Sequence, residues 1–527
     1  MRAAIFLIAS FISLSATQAQ SQPQTDSQAK MNSQPKMDSQ PKTNAQPPIW
    51  RLRESPTTLK GPCHEILPQP GGDILTITHP EPGHQGPMII SRFDPQLDEL
   101  YTRRLNLLSH EQYQAAWYAG NRLFLFTTEK CGGLTRYELD DQSGALIGNP
   151  LPLTALLGLI SNTKKASFYS GHSAAGDYHY IAASTETMVH GILLDGQGNK
   201  TTVFQYNSTI PPADFIQSGN GELSIIFNQS PVYTLLHITT SGECKALPLS
   251  GLPNVSCLSW SADNTALHFA ALQCGKTGAA LGKTNAAFTD ILTGSVDPTT
   301  GHITELNHTA TTQLTAHNLP ANLTFLRQLP LSNGARLILL ESTSQRVYQN
   351  QWSAMQNPAL GRSATGGFTS ISPTAQGATY LSRGDIYVLK LDAANNPQWL
   401  DILSKDQEES ERLTAIGAGC LVDAADNLHV FFYDNQNNPD VWTANPTAIR
   451  ADDPGNNAFA CISITPDGAV KKQFITLTDN RYRLMPEIAF VGNKGQACFL
   501  AIRAKPGFSN ELAFDRAGYK LGVISIE

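Results

Sequence analysis

The sequence predicts an all-β protein, a β-propeller, because one kind of turn recurs between apolar strands. Each copy places a polar residue, usually Asp, with Gly or Asn between two strand-like segments. The copies are marked by Asp94, Asp140, Asp195, Thr240, Asp297, Asp392 and Asp467. The successive spacings are 46, 55, 45, 57, 95 and 75 residues. A repeat of roughly fifty residues, built only from strands and turns, is typical of a ring of small sheets.

Paired hairpins predict eight blades, with seven as the alternative. Each of the first seven units combines an inner and an outer hairpin, as at Pro70–Asp73 and Asp94 in the first unit. The eighth unit shows only one clear strand, Lys520–Ile526, after its first hairpin. We expect Ile49–Leu59 to supply the missing outer strand, because this pairing removes an open sheet edge. Two β-sandwiches in tandem are the alternative architecture.

The sixth unit carries an insertion, predicted at about residues 342–383, that explains the spacing of 95 residues. It mixes Tyr348, Trp352 and Arg362 with Gly and Asn. Long loops on rigid scaffolds commonly bind partners, and these three residue types are favoured anchors. They are our candidate binding residues. The alternative is that they only pack the insertion against the ring.

The N-terminal region predicts export. Residues 1–19 read as a signal peptide, with Arg2, the apolar stretch Ala3–Leu14 and the small-residue site Thr17–Ala19. An uncleaved membrane anchor is the alternative, and we expect no membrane span in the mature chain. Residues 20–48 form hexapeptide repeats rich in Ser, Gln, Pro and Lys, which predict a disordered tether. Residues 49–527 are left for the propeller, and we expect it in the periplasm, at the cell surface or outside the cell.

Charge and cysteine content argue against several classes of partner and cofactor. The formal net charge is −7, with the charges scattered, which argues against nucleic acid or an anionic membrane as partner. The eight Cys form no CxxC pair, so neither a zinc ribbon nor attached haem is predicted, and we expect no cofactor. Disulfides are compatible with export. Buried free thiols fit equally well, because Cys461 and Cys498 lie in apolar runs.

Several short patterns resemble reactive sites but are explained better as structure. Ser261-Ala-Asp263 begins like the turn of hydrolytic propellers but lacks its Gly, and Gly171–Gly176 has one residue too many for a nucleophile elbow. The pairs His79 with His84 and His172 with His179 lack a third zinc ligand. The loop Asp434–Asp440 is rich in oxygen ligands but lacks the Gly and Glu of a calcium loop. We therefore predict no catalytic residue and no metal site.

Two segments resemble known bacterial propellers. Asp385–Trp399 is similar to a repeat that reads D-I-hydrophobic-V-x-K-L-D, turn, W, and Leu258–Phe269 looks like one blade start of the TolB-like propellers. In the second segment Ala262 and Asn264 replace the usual Pro and Gly. The wider layout resembles uncharacterised secreted bacterial proteins of similar length. The resemblance implies a propeller and implies no activity.

The sequence therefore favours an exported, non-enzymatic propeller that binds a protein or glycan partner, or supports an assembly at the cell envelope or outside the cell. The alternative is a hydrolase or lyase that acts on a glycan at the central channel. An enzyme predicts carboxylates, Arg or His converging at the channel mouth, whereas a binding module predicts an apolar or aromatic patch.

Overall fold

Every element formed by the described residues is a β-strand. The computed structural model describes residues 50–54, 63–69, 71–78, 87–107, 111–129, 133–153, 166–173, 176–229, 232–249, 252, 255–262, 266–274, 288–310, 323–348, 378–410, 417–438, 441, 446, 449–450, 457–475, 482–486, 490–492, 496–503 and 519–526. All of them belong to one unit, residues 44–527.

The strands of the first half form four sheets, each a meander of four antiparallel strands. Strand β1 (Trp50–Glu54) precedes them. The first sheet contains β2 (Cys63–Pro68), β3 (Ile74–Thr78), β4 (Met88–Phe93) and β5 (Glu99–Leu105). The second contains β6 (Glu111–Ala119), β7 (Arg122–Glu129), β8 (Leu134–Asp140) and β9 (Leu151–Pro152). The third contains β10 (Ser167–His172), β11 (Tyr178–Ser184), β12 (Met188–Asp195) and β13 (Lys200–Asn207). The fourth contains β14 (Pro212–Gln217), β15 (Leu223–Gln229), β16 (Val232–Ile238) and β17 (Cys244–Leu249).

The second half continues the pattern and adds strands to two sheets. The fifth sheet contains β18 (Val255–Ala262), β19 (Leu267–Cys274), β20 (Phe288–Val296) and β21 (Ile303–Ala310). The sixth contains β22 (Leu323–Pro330), β23 (Arg336–Tyr348), β24 (Ala378–Leu391), β25 (Pro397–Leu403), β26 (Gln407–Ser410) and, from later in the chain, β29 (Ile449–Arg450). The seventh contains β27 (Ala418–Val422), β28 (Leu428–Asn435), β30 (Asn457–Ile464) and β31 (Val470–Ile475). The eighth joins β32 (Tyr482–Leu484), β33 (Phe490–Gly492), β34 (Gln496–Arg503) and β35 (Tyr519–Ile526) to β1.

The described residues form eight apolar clusters that join the sheets into a closed ring. Each cluster lies between two successive sheets; one, for example, combines Ile90 of the first sheet with Leu125 of the second. Five further clusters join the second sheet to the third and so on up to the seventh. One joins the seventh and eighth sheets, and the last packs Phe93 of the first sheet against Val523 of the eighth. The protein is therefore an eight-bladed β-propeller, and the alternatives of seven blades or two sandwiches are wrong.

The first strand of each meander lies nearest the axis of the ring. One continuous series of contacts between neighbouring blades joins β2 to β6 and then β10, β14, β18, β22 and β27, the first strands of the first seven sheets. Because a meander reverses direction at each turn, its first and third turns lie at one end of the sheet and its second turn at the other.

The predicted recurring turn has a consistent geometry. In the turn after β4, Asp94 N–H donates to Asp98 O at 3.0 Å, and the Asp94 side chain accepts from the N–H groups of Gln96 and Asp98. The residue directly before the last residue of the turn has a positive φ, as at Gly198 (69°) and Gly468 (84°). A three-residue hairpin loop requires this left-handed residue, which explains the Gly and Asn in the pattern. Leu97 adopts it at 69° without being Gly, and its side chain is buried between the first and eighth sheets.

Strand β1 closes the ring by pairing with β35, from Trp50 opposite Ile526 to Glu54 opposite Gly522. It is the outer strand of the eighth sheet, so the prediction that residues near Ile49–Leu59 complete this sheet is confirmed for Trp50–Glu54. Leu52 packs against the cluster between the seventh and eighth sheets. An otherwise open edge is thereby paired and partly covered.

Removal of β1 should destabilise the ring. A chain that lacks residues 20–54 leaves the outer edge of β35 unpaired and loses the burial of Leu52, so we expect its Tm to fall by about 5 °C or more. A matched chain that lacks only residues 20–44 should melt within about 1 °C of the mature protein, as the tether prediction requires. Differential scanning calorimetry measures both, and equal Tm values for the two deletions would contradict the closing role of β1.

The carboxylate of Asp423, in the turn after β27, should make the free energy of unfolding depend on pH in the acid range. Burial alone would raise the pKa of Asp423, but hydrogen bonds from His429 Nε2 at 3.0 Å and from Asn427 lower this pKa from 3.8 to about 2. The stabilisation is therefore complete above about pH 4 and is lost as the pH falls towards 2.

The Asp423→Asn variant should accordingly be less stable than the wild type at pH 7, and the difference should shrink between pH 4 and pH 2. His429→Gln, which keeps the carboxylate and removes its donor, should lose part of the same acid-sensitive stability. Urea unfolding at each pH measures this, and a difference that does not change with pH would contradict it.

Candidate functional site

The two faces of the ring differ in their connections. At the tight-turn face, defined by the first and third turns of each meander, short loops such as 69–73, 94–98 and 218–222 join neighbouring strands. At the opposite, long-connection face, strand ends are joined by segments such as 275–287, 349–377 and 504–518. Binding residues on rigid scaffolds concentrate in long connections. The long-connection face is therefore our candidate binding face.

A two-stranded ribbon extends the sixth sheet at this face. Residues 343–348 of β23 pair with residues 378–383 of β24, from Thr343 opposite Arg383 to Tyr348 opposite Ala378. Strand β22 pairs with β23 only as far as Ser342, so the ribbon continues past its own sheet. Strand β26 supports the ribbon by pairing with Tyr380–Arg383.

The three predicted binding residues relate to this ribbon in different ways. Tyr348 is the last residue of β23, where its backbone pairs with Ala378 at the ribbon end. Trp352 and Arg362 belong to the segment 349–377 and lie outside the described residues. The predicted insertion at about 342–383 thus begins and ends in the paired strands of the ribbon. The binding role of the three residues stays a prediction.

A buried ionic network fixes the base of the ribbon. Glu341 is fully buried where β23 leaves its sheet, and its two carboxylate oxygens accept from Lys405 Nζ and from Arg383, the latter at 3.1 Å. The Lys405 side chain is fully buried as well, and its ammonium lies 5.8 Å from the centre of the Phe432 ring. Buried charges of this kind require a partner, and here each has one.

The same network joins the ribbon to the seventh sheet. Gln407 Oε1 accepts from Lys405 Nζ at 3.2 Å and from Gly417 N–H at 2.8 Å. Its Nε2 donates to Tyr433 O in β28 at 2.8 Å. The backbone N–H of Lys405 donates to Asp385 at 3.0 Å, and burial raises the pKa of this Asp385 carboxyl. The ribbon is consequently held from two neighbouring blades.

Sequence reasoning missed this network. The available signal was the alternation of side chains along β23, which places Leu337, Leu339 and Glu341 on one face. Leu337 and Leu339 belong to the apolar cluster between the sixth and seventh sheets. A Glu at the next position of that buried row therefore needed a cationic partner.

Loss of the cation should destabilise the protein strongly. In Lys405→Met the fully buried Glu341 keeps only Arg383 as its cationic partner, so we expect the free energy of unfolding to fall by about 3–5 kcal/mol. As a control, Arg122→Met removes a half-exposed Arg from its pair with Glu138 and should lower it by less than about 1 kcal/mol. Urea unfolding compares the two. Similar losses for both variants would show that the network does not hold the ribbon base.

Two acidic residues on first strands have unusual environments. Burial raises the pKa of Glu65, in β2, from 4.5 to about 7, and this carboxylate accepts a hydrogen bond from Tyr113 of β6. Burial also raises the pKa of Asp214 in β14. Next to Asp214, Phe215 stacks on Tyr169 and on Tyr180, with ring centres 4.6 and 5.5 Å apart. The first strands β2, β10 and β14 thus carry a protonatable carboxyl group and part of an aromatic cluster, which Tyr180 of β11 completes.

The patterns around Gly171–Gly176 have structural roles. Ser173 is fully buried in the turn between β10 and β11, where its hydroxyl accepts from Tyr178 N–H at 3.2 Å. One ring nitrogen of His172 and one of His179 contact backbone oxygens of this turn, at 2.8 and 3.0 Å. His179 also stacks on Trp117 at 3.8 Å, and burial lowers its pKa to about 4. The pair His79 and His84, like Asp263, lies outside the described residues.

The loop that begins at Asp434 already contains a cation from the protein. Lys472 Nζ lies 2.5 Å from Asp434 Oδ2 and 2.6 Å from Asn438 O. Asn438 Nδ2 donates to the other carboxylate oxygen of Asp434 at 2.7 Å. The oxygen-rich pattern is therefore explained by an internal ammonium group.

Within the described ranges, no group of three or more His, Cys, Asp or Glu could hold a metal ion. The same residues include no helix that is long and apolar enough to cross a membrane. The thiols of Cys244, Cys420, Cys461 and Cys498 are free, and the last three are buried.

These sheets define the class of the protein, an eight-bladed β-propeller, and comparisons with known proteins add no narrower family. Neither a protein-family profile nor a curated protein matches the sequence. A catalytically inactive virginiamycin B lyase from Staphylococcus aureus, solved with quinupristin, is similar at a TM-score of 0.34 and 9% identity, covering 90% of this chain and 99% of the lyase. A protein from Lactobacillus plantarum is similar at a TM-score of 0.34 and 13% identity, covering 77% of this chain and 96% of that protein. A polysaccharide lyase is similar at a TM-score of 0.38 and 7% identity, covering 81% of this chain and 92% of the lyase. Similarities this weak add no argument about function.

Proposed function

We propose that this chain is an exported, non-enzymatic β-propeller that binds a protein or glycan partner, or supports an assembly at the cell envelope or outside the cell. The sixth-blade ribbon and the segment it carries, at the long-connection face, make the main contact. The signal-like N-terminus supports export, and the scattered charge supports a partner other than nucleic acid.

The observation that carries the proposal is the anchoring of the ribbon. A segment with Trp and Arg at the end of a fixed ribbon loses less conformational freedom on binding than the same segment at the end of a free chain. The Glu341–Lys405 pair and Gln407 hold the ribbon from two blades. Buried ionic networks seldom add much net stability, which supports a positional role for this one.

Partner capture from the envelope and secreted fractions of the protein's own source tests the proposal. The mature chain, residues 20–527, should retain a stoichiometric partner that mass spectrometry identifies. A chain with residues 349–377 replaced by a short Gly-Ser linker should lose it. The same replacement of residues 275–287, at the same face but in the fifth blade, should retain it.

The double variant Trp352→Ala, Arg362→Ala should weaken binding of the captured partner about thirtyfold, the size of a typical hot-spot loss. Surface plasmon resonance measures this. Retention of the partner by the 349–377 replacement would contradict the proposed face.

A glycan hydrolase or lyase is the second candidate, and the observation that favours it is Glu65. A carboxyl group with a pKa of about 7, hydrogen-bonded to Tyr113 on a first strand, can act as a general acid. Turnover of oligosaccharides by the mature protein that Glu65→Gln abolishes would establish this candidate in place of the binding module.

A further inference from the structure

A cleft of about 290 Å³ opens at the tight-turn face between the fourth and fifth sheets. Its polar lining comes from the turn after β14, from β15 and β16, and from the turn after β20. The lining includes Ser218, Glu222, Ser224, His237, Asp297 and Thr299. A water molecule occupies about 30 Å³ in liquid water, so the cleft is large enough for a small organic molecule.

His237 is a buried residue in the wall of the cleft. Along β16 the row Tyr233, Leu235 and His237 alternates towards the fifth sheet, and the first two belong to the apolar cluster there. His237 stands near the strand end, and only 3% of its surface is exposed. Neither ring nitrogen has a hydrogen-bond partner among the described residues, and Nε2 lies 3.8 Å from Glu222 Oε2. A buried imidazole without such partners in the wall of a cleft can be satisfied by a ligand or water in that cleft.

The charge around this imidazole is negative. Burial lowers the pKa of His237, the negative charges of Glu222, Asp297 and Glu243 act against this, and the positive charge of Lys245 adds to it. Lys245 Nζ donates to Thr299 O at 2.9 Å. The Asp297 carboxylate accepts from Thr299 Oγ1 at 2.7 Å, from Thr299 N–H at 2.8 Å and from Thr300 Oγ1 at 2.8 Å, and these hydrogen bonds keep its pKa below the usual value. Glu222 Oε2 accepts from Asn220 Nδ2 at 3.1 Å.

We propose that this cleft binds a small organic cation, an alkylammonium or guanidinium group. Glu222 and Asp297 supply the opposite charge, and the Ser218 and Ser224 hydroxyls with His237 Nε2 supply further polar contacts. An anion would be repelled by the two carboxylates, and an apolar molecule would remove them from water without compensation. The site lies on the face opposite the ribbon, so it does not depend on the proposed function.

Isothermal titration calorimetry of the mature chain with 1,5-diaminopentane and with methylguanidinium tests the site. We expect saturable binding of at least one of them, and none of 1-pentanol or pentanoate. Glu222→Gln should weaken binding about tenfold, because it removes one charge-assisted contact. Glu243→Gln is the matched control, because Glu243 is exposed in the same blade and does not line the cleft, so it should change affinity less than about twofold.

His237→Gln should also weaken binding, and His190→Gln controls for the loss of a buried histidine. His190 is likewise buried, in β12 of the third sheet, and does not line the cleft. Equal losses for Glu222→Gln and Glu243→Gln would show general charge attraction only and would overturn the site. Absence of binding at millimolar amine would overturn it too. Tight binding of ZnCl₂ or CaCl₂ that His237→Gln abolishes, without binding of the amines, would replace the proposal by a metal site.

Discussion

The rest of the structure depends on apolar contact between neighbouring sheets. The buried rows of each sheet belong to the clusters on its two flanks, so a blade shares its core with both neighbours. A four-stranded meander alone would leave both faces in water, and its stability must come from packing. Cooperativity around the ring follows, because a defect in one blade weakens two interfaces. Leu97 illustrates the strength of this packing, since it stays buried at the last interface despite a left-handed backbone.

The tight turns and the long connections lie on opposite faces of the ring. The carboxylates of the tight turns accept backbone N–H groups within the same loop, so the tight-turn face is built from short, self-satisfied hairpins. The opposite face receives the long connections and the anchored ribbon. Buried charges support this arrangement in two blades, through Lys405 with Glu341 and Lys472 with Asp434. In each case the ammonium group comes from the protein itself, which fixes loops that would otherwise need an external cation or water.

The fold could be predicted because its turns require particular residues. A turn position with a positive φ favours Gly or Asn, so residues such as Gly198 and Asn395 mark the hairpins directly in the sequence. The sites could not be predicted in this way. Glu341 and Lys405 are 64 residues apart, and Glu222 and Asp297 belong to different sheets. Their meeting depends on the side of each strand that faces the next blade, and one bulge reverses that side. The side-chain alternation that marked Glu341 as buried gave no indication of its partner.

The pairing of Trp50 with Ile526 also sets an order of events in time. The two residues are 476 positions apart (526 − 50), whereas paired residues within the other blades are at most 55 positions apart (391 − 336). Local hairpins form fast and distant strands meet slowly, because closing a long loop must precede any gain from its contacts. During synthesis β1 emerges before β2 to β35 and must wait for β35 before it can pair. Seven blades can therefore assemble progressively, while the eighth stays incomplete until β35 has been made.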